Sequence, residues 1–151
     1  MRAVVQRVTR AAVTVDGATV GEIEQGLMVL VGVGHDDGPA DAEALAGKLA
    51  GLRVFADPEG RMNLAVDDVG GAVLVVSQFT LLGDVRRGKR PSFTDAAPPD
   101  HAEPLVDEVV ACLQGAGIEV ANGTFGARME VSLVNDGPVT LVVETRNGKV
   151  V

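Results

Sequence analysis

The alternation of apolar and polar positions divides the chain into short strand-like runs and two longer stretches of helical period. The strongest run is Ala72-Val73-Leu74-Val75-Val76, continuous and mostly β-branched, the pattern of a strand buried on both faces. It passes without a break into Ser77, Gln78 and Thr80, and Gly83-Asp84 then signals a turn. Ala72 to Leu82 therefore reads in two ways. It is either a rigid strand presenting functional groups at its end, or a core strand whose last residues merely reach solvent.

The other elements are arranged around that strand. Met1 to Thr9 alternates as a strand, with Ala3, Val5 and Arg7 on one face and Val4, Gln6 and Val8 on the other. Ala11–Val15 and Ala18–Ile23 predict a hairpin about Asp16-Gly17, and Leu27 to Val33 a second buried strand. After the loop Gly34 to Gly38, Pro39 opens a helix with Leu45, Leu49 and Leu52 as its buried stripe. Val54-Phe55 is a short strand closed by the turn Asp57-Pro58-Glu59-Gly60, and Met62 to Val66 is ambiguous. A second helix is expected from about Asp100 to Leu113. Asp100 and Glu103 have capping-box spacing, Pro104 falls in the first turn, and Gly115 and Gly117 end it. Arg128–Val134 and Val139–Thr145 read as two strands joined by a tight turn at Asn135-Asp136-Gly137-Pro138. No repeat or linker interrupts residues 1–151. The order predicts one α+β domain, a largely antiparallel sheet or barrel-like β layers covered by two main helices.

Composition narrows the function classes. A chain of 151 residues with 46% hydrophobic content can bury its own core. Four Phe with no Trp or Tyr argue against serial base stacking, and a net charge of −8 argues against a broad nucleic-acid surface. A small, local contact with nucleic acid stays open. Cys112 is the single cysteine, which fits a reducing cytosol. Arg2, Gln6, Arg7 and Arg10 interrupt any leader-like run, and no apolar stretch reaches the length of a membrane span. The expectation is a soluble, cytoplasmic protein without membrane attachment.

Conventional catalysts are scarce. The two histidines, His35 and His101, lie far in sequence from any activated Ser or Thr, although distance along the chain leaves a Ser-His pairing open. One Cys and two His offer no metal-ligand spacing. Gly32-x-Gly34 begins like a dinucleotide fingerprint, but the next glycine, Gly38, comes one residue late. Three features remain. Ser77-Gln78-Phe79-Thr80 puts hydroxyls, an amide and backbone N–H groups together, donors suited to an oxyanion hole. Arg86, Arg87, Lys89 and Arg90 concentrate four of the thirteen basic residues into a focused anion site or an ordinary solvated loop. Gly137-Pro138 lies in the expected turn, where an X-Pro bond has some propensity to be cis.

Four motifs in order carry a family resemblance: Ser77-Gln78-Phe79-Thr80-Leu81, Arg90-Pro91-Ser92-Phe93, Phe125-Gly126-Ala127-Arg128-Met129 and Asn135-Asp136-Gly137-Pro138-Val139-Thr140. With the opening Met1-Arg2-Ala3-Val4-Val5-Gln6-Arg7-Val8, the whole chain resembles the D-aminoacyl-tRNA deacylase family. The resemblance implies an editing hydrolase that needs no cofactor or metal. It would cleave the ester joining a D-amino acid, or mischarged glycine, to the 3′-terminal adenosine of tRNA. It further implies a homodimer with its active sites at the subunit interface. Gly137 and Pro138 would form a cis peptide that reaches into the partner's pocket as the chiral filter, with Arg7 orienting it. Phe125 and Met129 would line the adenosine pocket. Substrate assistance by the ribose 2′-hydroxyl, with the backbone N–H groups around Phe79 and Thr80 holding the oxyanion, competes with Thr80 as nucleophile. Arg86, Arg87, Lys89 and Arg90 would meet the last phosphates. Two other classes stay open: a non-catalytic module that holds RNA ends or a nucleotide on the basic loop, and a small-ester hydrolase acting through Ser77 or Thr80.

Overall fold

The computed structural model describes residues 1–151. Alternation and β-branching at the N-terminus give one long strand, β1 (Arg2–Val15), where two were expected. Its first half pairs antiparallel with β3 (Gly26–Gly32) and its second half with β2 (Ala18–Ile23). The Asp16-Gly17 hairpin forms as read, with both residues at positive φ. On its other side β1 pairs along almost its whole length with β8 (Glu130–Arg146).

Ala72–Ser77 forms the expected central strand, β6, which lies parallel to β3 and to the short β7 (Glu119–Asn122). Val73 and Val75 enter one core while Ala72, Leu74 and Val76 enter another, so the continuous apolar run is buried on both faces. The full order is β7-β6-β3-β1-β8-β9, with β2 beside β1 and β9 being Lys149–Val150. A separate pair, β4 (Phe55–Ala56) and β5 (Met62–Leu64), resolves the ambiguous stretch after Val54. Antiparallel pairing predominates, as the element order suggested. The parallel strands occur where α1 (Pro39–Gly51) and α2 (Pro99–Gly115) supply the long connections that such pairing requires. β7 and β9 were not foreseen, being too short to show a period.

Both helices cover one face. Leu45 and Leu49 of α1 and Leu105, Val109 and Leu113 of α2 join Ala3, Val5, Val29, Val31, Val73 and Val75 in the larger core. Each fully buried Val or Leu side chain among them contributes about 1.5–3 kcal/mol. Leu52, expected in the stripe, is the C-cap of α1 and only half-buried. Helix α2 begins one residue before the expected cap. Pro98 takes the N-cap position without a side-chain hydrogen bond, so the Asp100–Glu103 capping box does not form and Pro104 falls inside the helix. The opposite face of the sheet carries a smaller core of Val8, Ala11, Val13, Ile23, Met28, Leu74 and Val76. Strand β1 serves both cores because its register slips between Val8 and Arg10. That extra residue exchanges its inward and outward sides and bends the strand.

Asn135-Asp136-Gly137-Pro138 does not join two strands in a turn. β8 runs through it without reversing. Gln6 pairs with Thr140 and Val8 with Asn135, so four residues, Asp136 to Val139, bow out opposite the single residue Arg7. The Asn135 side chain closes the bow: its Oδ1 accepts the Val139 N–H at 2.9 Å and its Nδ2 donates to Thr140 Oγ1 at 2.9 Å. Polar turn-forming residues have been used here for an excursion within a ladder.

Candidate active site

Strand β6 ends at Ser77, and the expected strand end Phe79–Leu82 is instead a 3-10 turn. The Gln78 N–H donates to Val31 O at 2.7 Å, which locks the turn to the end of β3. Gly32 makes the close approach possible, because a Cβ there would stand 2.5 Å from Leu82 Cδ2 and 2.9 Å from Gln78 O. Arg2 buttresses the turn from the other side, donating through Nη1 to Leu81 O at 2.8 Å while pairing with Glu144. The bonds that follow the turn employ the Leu81 and Gly83 amides, donating to Gln78 O at 3.2 Å and Thr80 O at 3.0 Å. A single turn has no acceptors of its own for the amides that open it, which here belong to Phe79 and Thr80. The Gln78 side-chain amide donates to Thr80 Oγ1. Neither histidine comes to this hydroxyl: His35 Nε2 bonds Thr94 O at 2.8 Å and His101 Nε2 bonds Asp37 O at 2.8 Å.

This turn forms one wall of a cleft of about 510 Å³ with a mostly apolar lining. Ser77, Gln78 and Phe79 face Phe125 and Met129 across it, with Val106 of α2 and Phe93 completing the enclosure. Met129 is held inward by packing on Gly123, where a Cβ would stand 2.6 Å from its sulfur. A larger hollow, about 610 Å³, lies among Arg10, Glu22, Glu24 and Glu119. Its charged side chains are exposed and it holds none of the residues singled out in the sequence, so the apolar cleft is the candidate site.

The structure thus gathers Ser77, Gln78, Phe79, Phe125 and Met129, with Thr80 next to them on the turn. It does not bring Gly137 and Pro138 to the same cleft. The Gly137-Pro138 peptide is cis, and both residues are exposed on the bow in β8. Arg7 lies beneath them, its Nε donating to Asp136 O at 3.0 Å and standing 3.4 Å from Asp136 Oδ2. Its Nη1 donates to Val54 O. The basic loop rises from a bridge between Asp84 and Ser92, whose backbones exchange bonds of 2.7 and 2.9 Å. Arg86 is held by Asp84 in a two-pronged pair at 2.8 and 2.7 Å, and these hydrogen bonds lower the Asp84 carboxyl to about 2. Arg87, Lys89 and Arg90 are exposed and have no carboxylate partner. Sequence reasoning missed Gly32, Arg2 and Gly123, whose roles depend on contacts between distant segments. Phe93 was quoted in a motif without a role.

The chain belongs to the family described as D-Tyr-tRNA(Tyr) deacylase, whose model matches residues 4–144. Relatives along its full length carry the name D-aminoacyl-tRNA deacylase. The one from Heliobacterium modesticaldum is 60% identical over 149 residues, 99% of each chain. The one from Anaeromyxobacter dehalogenans is 60% identical over 146 residues, covering 97% of this chain and 98% of its own. Among solved structures, a c-Myc DNA Unwinding Element Binding Protein matches with a TM-score of 0.90 at 39% identity, covering 97% of this chain and 99% of that one. A probable eukaryotic D-amino acid tRNA deacylase shares the fold, with a TM-score of 0.79 at 20% identity over 93% and 97% of the two chains. The family read from the four motifs is therefore borne out, and with it the class of enzyme. No helix is long and apolar enough to cross a membrane.

Proposed function

We propose that this chain removes D-amino acids, and mischarged glycine, from the 3′-terminal adenosine of tRNA by hydrolysing the ester that joins them. The observation that carries the reading is the cleft itself: the Ser77 hydroxyl and the Gln78 amide line a mostly apolar enclosure, the adjoining turn offers its opening backbone N–H groups, and no histidine reaches the Thr80 hydroxyl. An aminoacyl ester is already activated. Preorganised amide donors that stabilise the developing oxyanion, with the ribose 2′-hydroxyl assisting, suffice for such a leaving group. Phe125 and Met129 receive the adenosine. Thr80 as nucleophile is disfavoured because its neighbour Gln78 donates to its oxygen and cannot take its proton.

The Gly137-Pro138 carbonyls are the chiral filter, and the protein works in the cytoplasm as a homodimer. Both residues are exposed and absent from their own chain's cleft, which supports a role in a second copy's cleft. Main-chain atoms held by Arg7 and Asn135 are stiff enough to reject an L side chain by shape while admitting a D residue or glycine.

The test is hydrolysis of matched D- and L-aminoacyl-tRNA with EDTA present. Release of the D-amino acid alone is the expected result, and equal hydrolysis of both would end the filter reading. Thr80→Ala is expected to keep substantial activity; its complete loss in a folded protein would favour the nucleophile.

A further inference from the structure

Two of the phenylalanines at the cleft are turned outward. Phe79 is 57% exposed and Phe93 38%, with ring centroids 5.2 Å apart and planes at 76°. An aromatic pair that serves only packing is normally buried. Here Phe125 lies half-buried in the cleft and Phe55 in the core, while this pair leaves ring surface to solvent at the rim.

The Phe93 ring is held in place. A Cβ on Gly83 would stand 3.0 Å from its Cε1, and Ser92 is locked to Asp84 by two backbone bonds. The same Asp84–Ser92 bridge closes the basic loop, so Arg87, Lys89 and Arg90 rise from the base on which Phe93 sits. Arg86 is occupied by Asp84 and the other three cations are free. In a chain of net charge −8, an anchored exposed ring beside free cations has a specific chemical complement. An unpaired nucleotide offers a flat base for the ring and phosphates for the cations. An apolar protein partner would account for the rings and leave the cations unexplained.

We propose that Phe93, with Phe79 at its edge, is a stacking platform for the unpaired base next to the terminal adenosine. Arg87, Lys89 and Arg90 take the phosphates on either side. This rests on the reading of the cleft as the site for the aminoacylated tRNA end, and it extends recognition to a second nucleotide. Stacking tolerates any base, so the platform measures the presence of a flexible strand rather than its sequence.

The experiment uses the full chain and tRNA carrying 2-aminopurine immediately before the terminal adenosine. Binding is expected to quench its fluorescence, Phe93→Tyr to keep the quench and Phe93→Leu to lose it. In parallel, Phe93→Leu is expected to raise KM for D-aminoacyl-tRNA on the order of tenfold. D-aminoacyl-adenosine has no second nucleotide and should suffer less, so the preference for tRNA over the nucleoside ester narrows. Equal loss on both esters would make Phe93 a mere wall of the cleft and overturn the proposal. So would an unquenched wild type, as expected if a second copy covers the rim. Hydrolysis of neither ester would sink the reading of the cleft instead, and the quench, read without turnover, would still decide the platform.

Discussion

At the scale of single residues, Gly137 has little freedom to change. Its φ of +137° is one that L side chains rarely adopt. A Cβ there would stand 2.8 Å from Val139 Cγ2, 3.0 Å from Val139 N and 3.1 Å from Arg7 Nη2. Backbone atoms on one side and a half-buried guanidinium, held by its own hydrogen bonds, on the other cannot both give way. Gly137→Ala should therefore destabilise the protein by about 1–3 kcal/mol in thermal or urea unfolding. The displaced bow should also lower deacylation of D-aminoacyl-tRNA, on the order of a hundredfold for a shift near 1 Å. Unchanged activity in this variant would place the filter elsewhere.

At the scale of elements, the sequence was most legible where one local signal dominates. The unbroken aliphatic run of β6 and the leucines of α1 and α2 are buried as their periods required. It was least legible where distant contacts decide. Asn135-Asp136-Gly137-Pro138 has the composition of a turn, yet pairing with β1 on both sides holds β8 straight and forces the residues outward. The site residues were visible as types, whereas their grouping depends on Gly32 and Gly123 permitting close approach. The start of α2 was misplaced because Pro98 and Pro99 set the backbone before any side-chain cap could. One consequence is measurable. Pro104 has no amide to offer Asp100 O four residues back, so Pro104→Ala should restore a helical bond and stabilise the protein by roughly 2 kcal/mol. Deacylation should be unaffected, and a lower melting temperature would contradict this account of the helix.

At the scale of the whole molecule, the proposed function has an acidic protein meet RNA through one small cationic patch. Each phosphate contact on a single strand contributes about −0.7 to the slope of log affinity against log salt, so three free cations predict a slope near −2. Asp84→Asn releases Arg86 from its partner and should steepen that slope by about 0.7. An unchanged slope would keep Arg86 out of RNA contact. The pH dependence follows from the same pair. Asp84 titrates near 2, below the usual carboxylate value of 3.8, so the contact is complete above that value and is lost as the pH falls toward 2. The loop's grip on RNA should accordingly show no titration from Asp84 at neutral pH. The bow in β8 has a different kind of permanence. Deleting one of its four residues would either tighten the bow at the cost of the Val139 N–H bond to Asn135 Oδ1, or shift everything beyond Thr140 by one place against β1 and turn Val143 and Thr145 from the interior toward water. Surface loops can lengthen or shorten by drift. This excursion sits between paired residues of a buried ladder, so its length is tied to the fold in a way that a loop's is not.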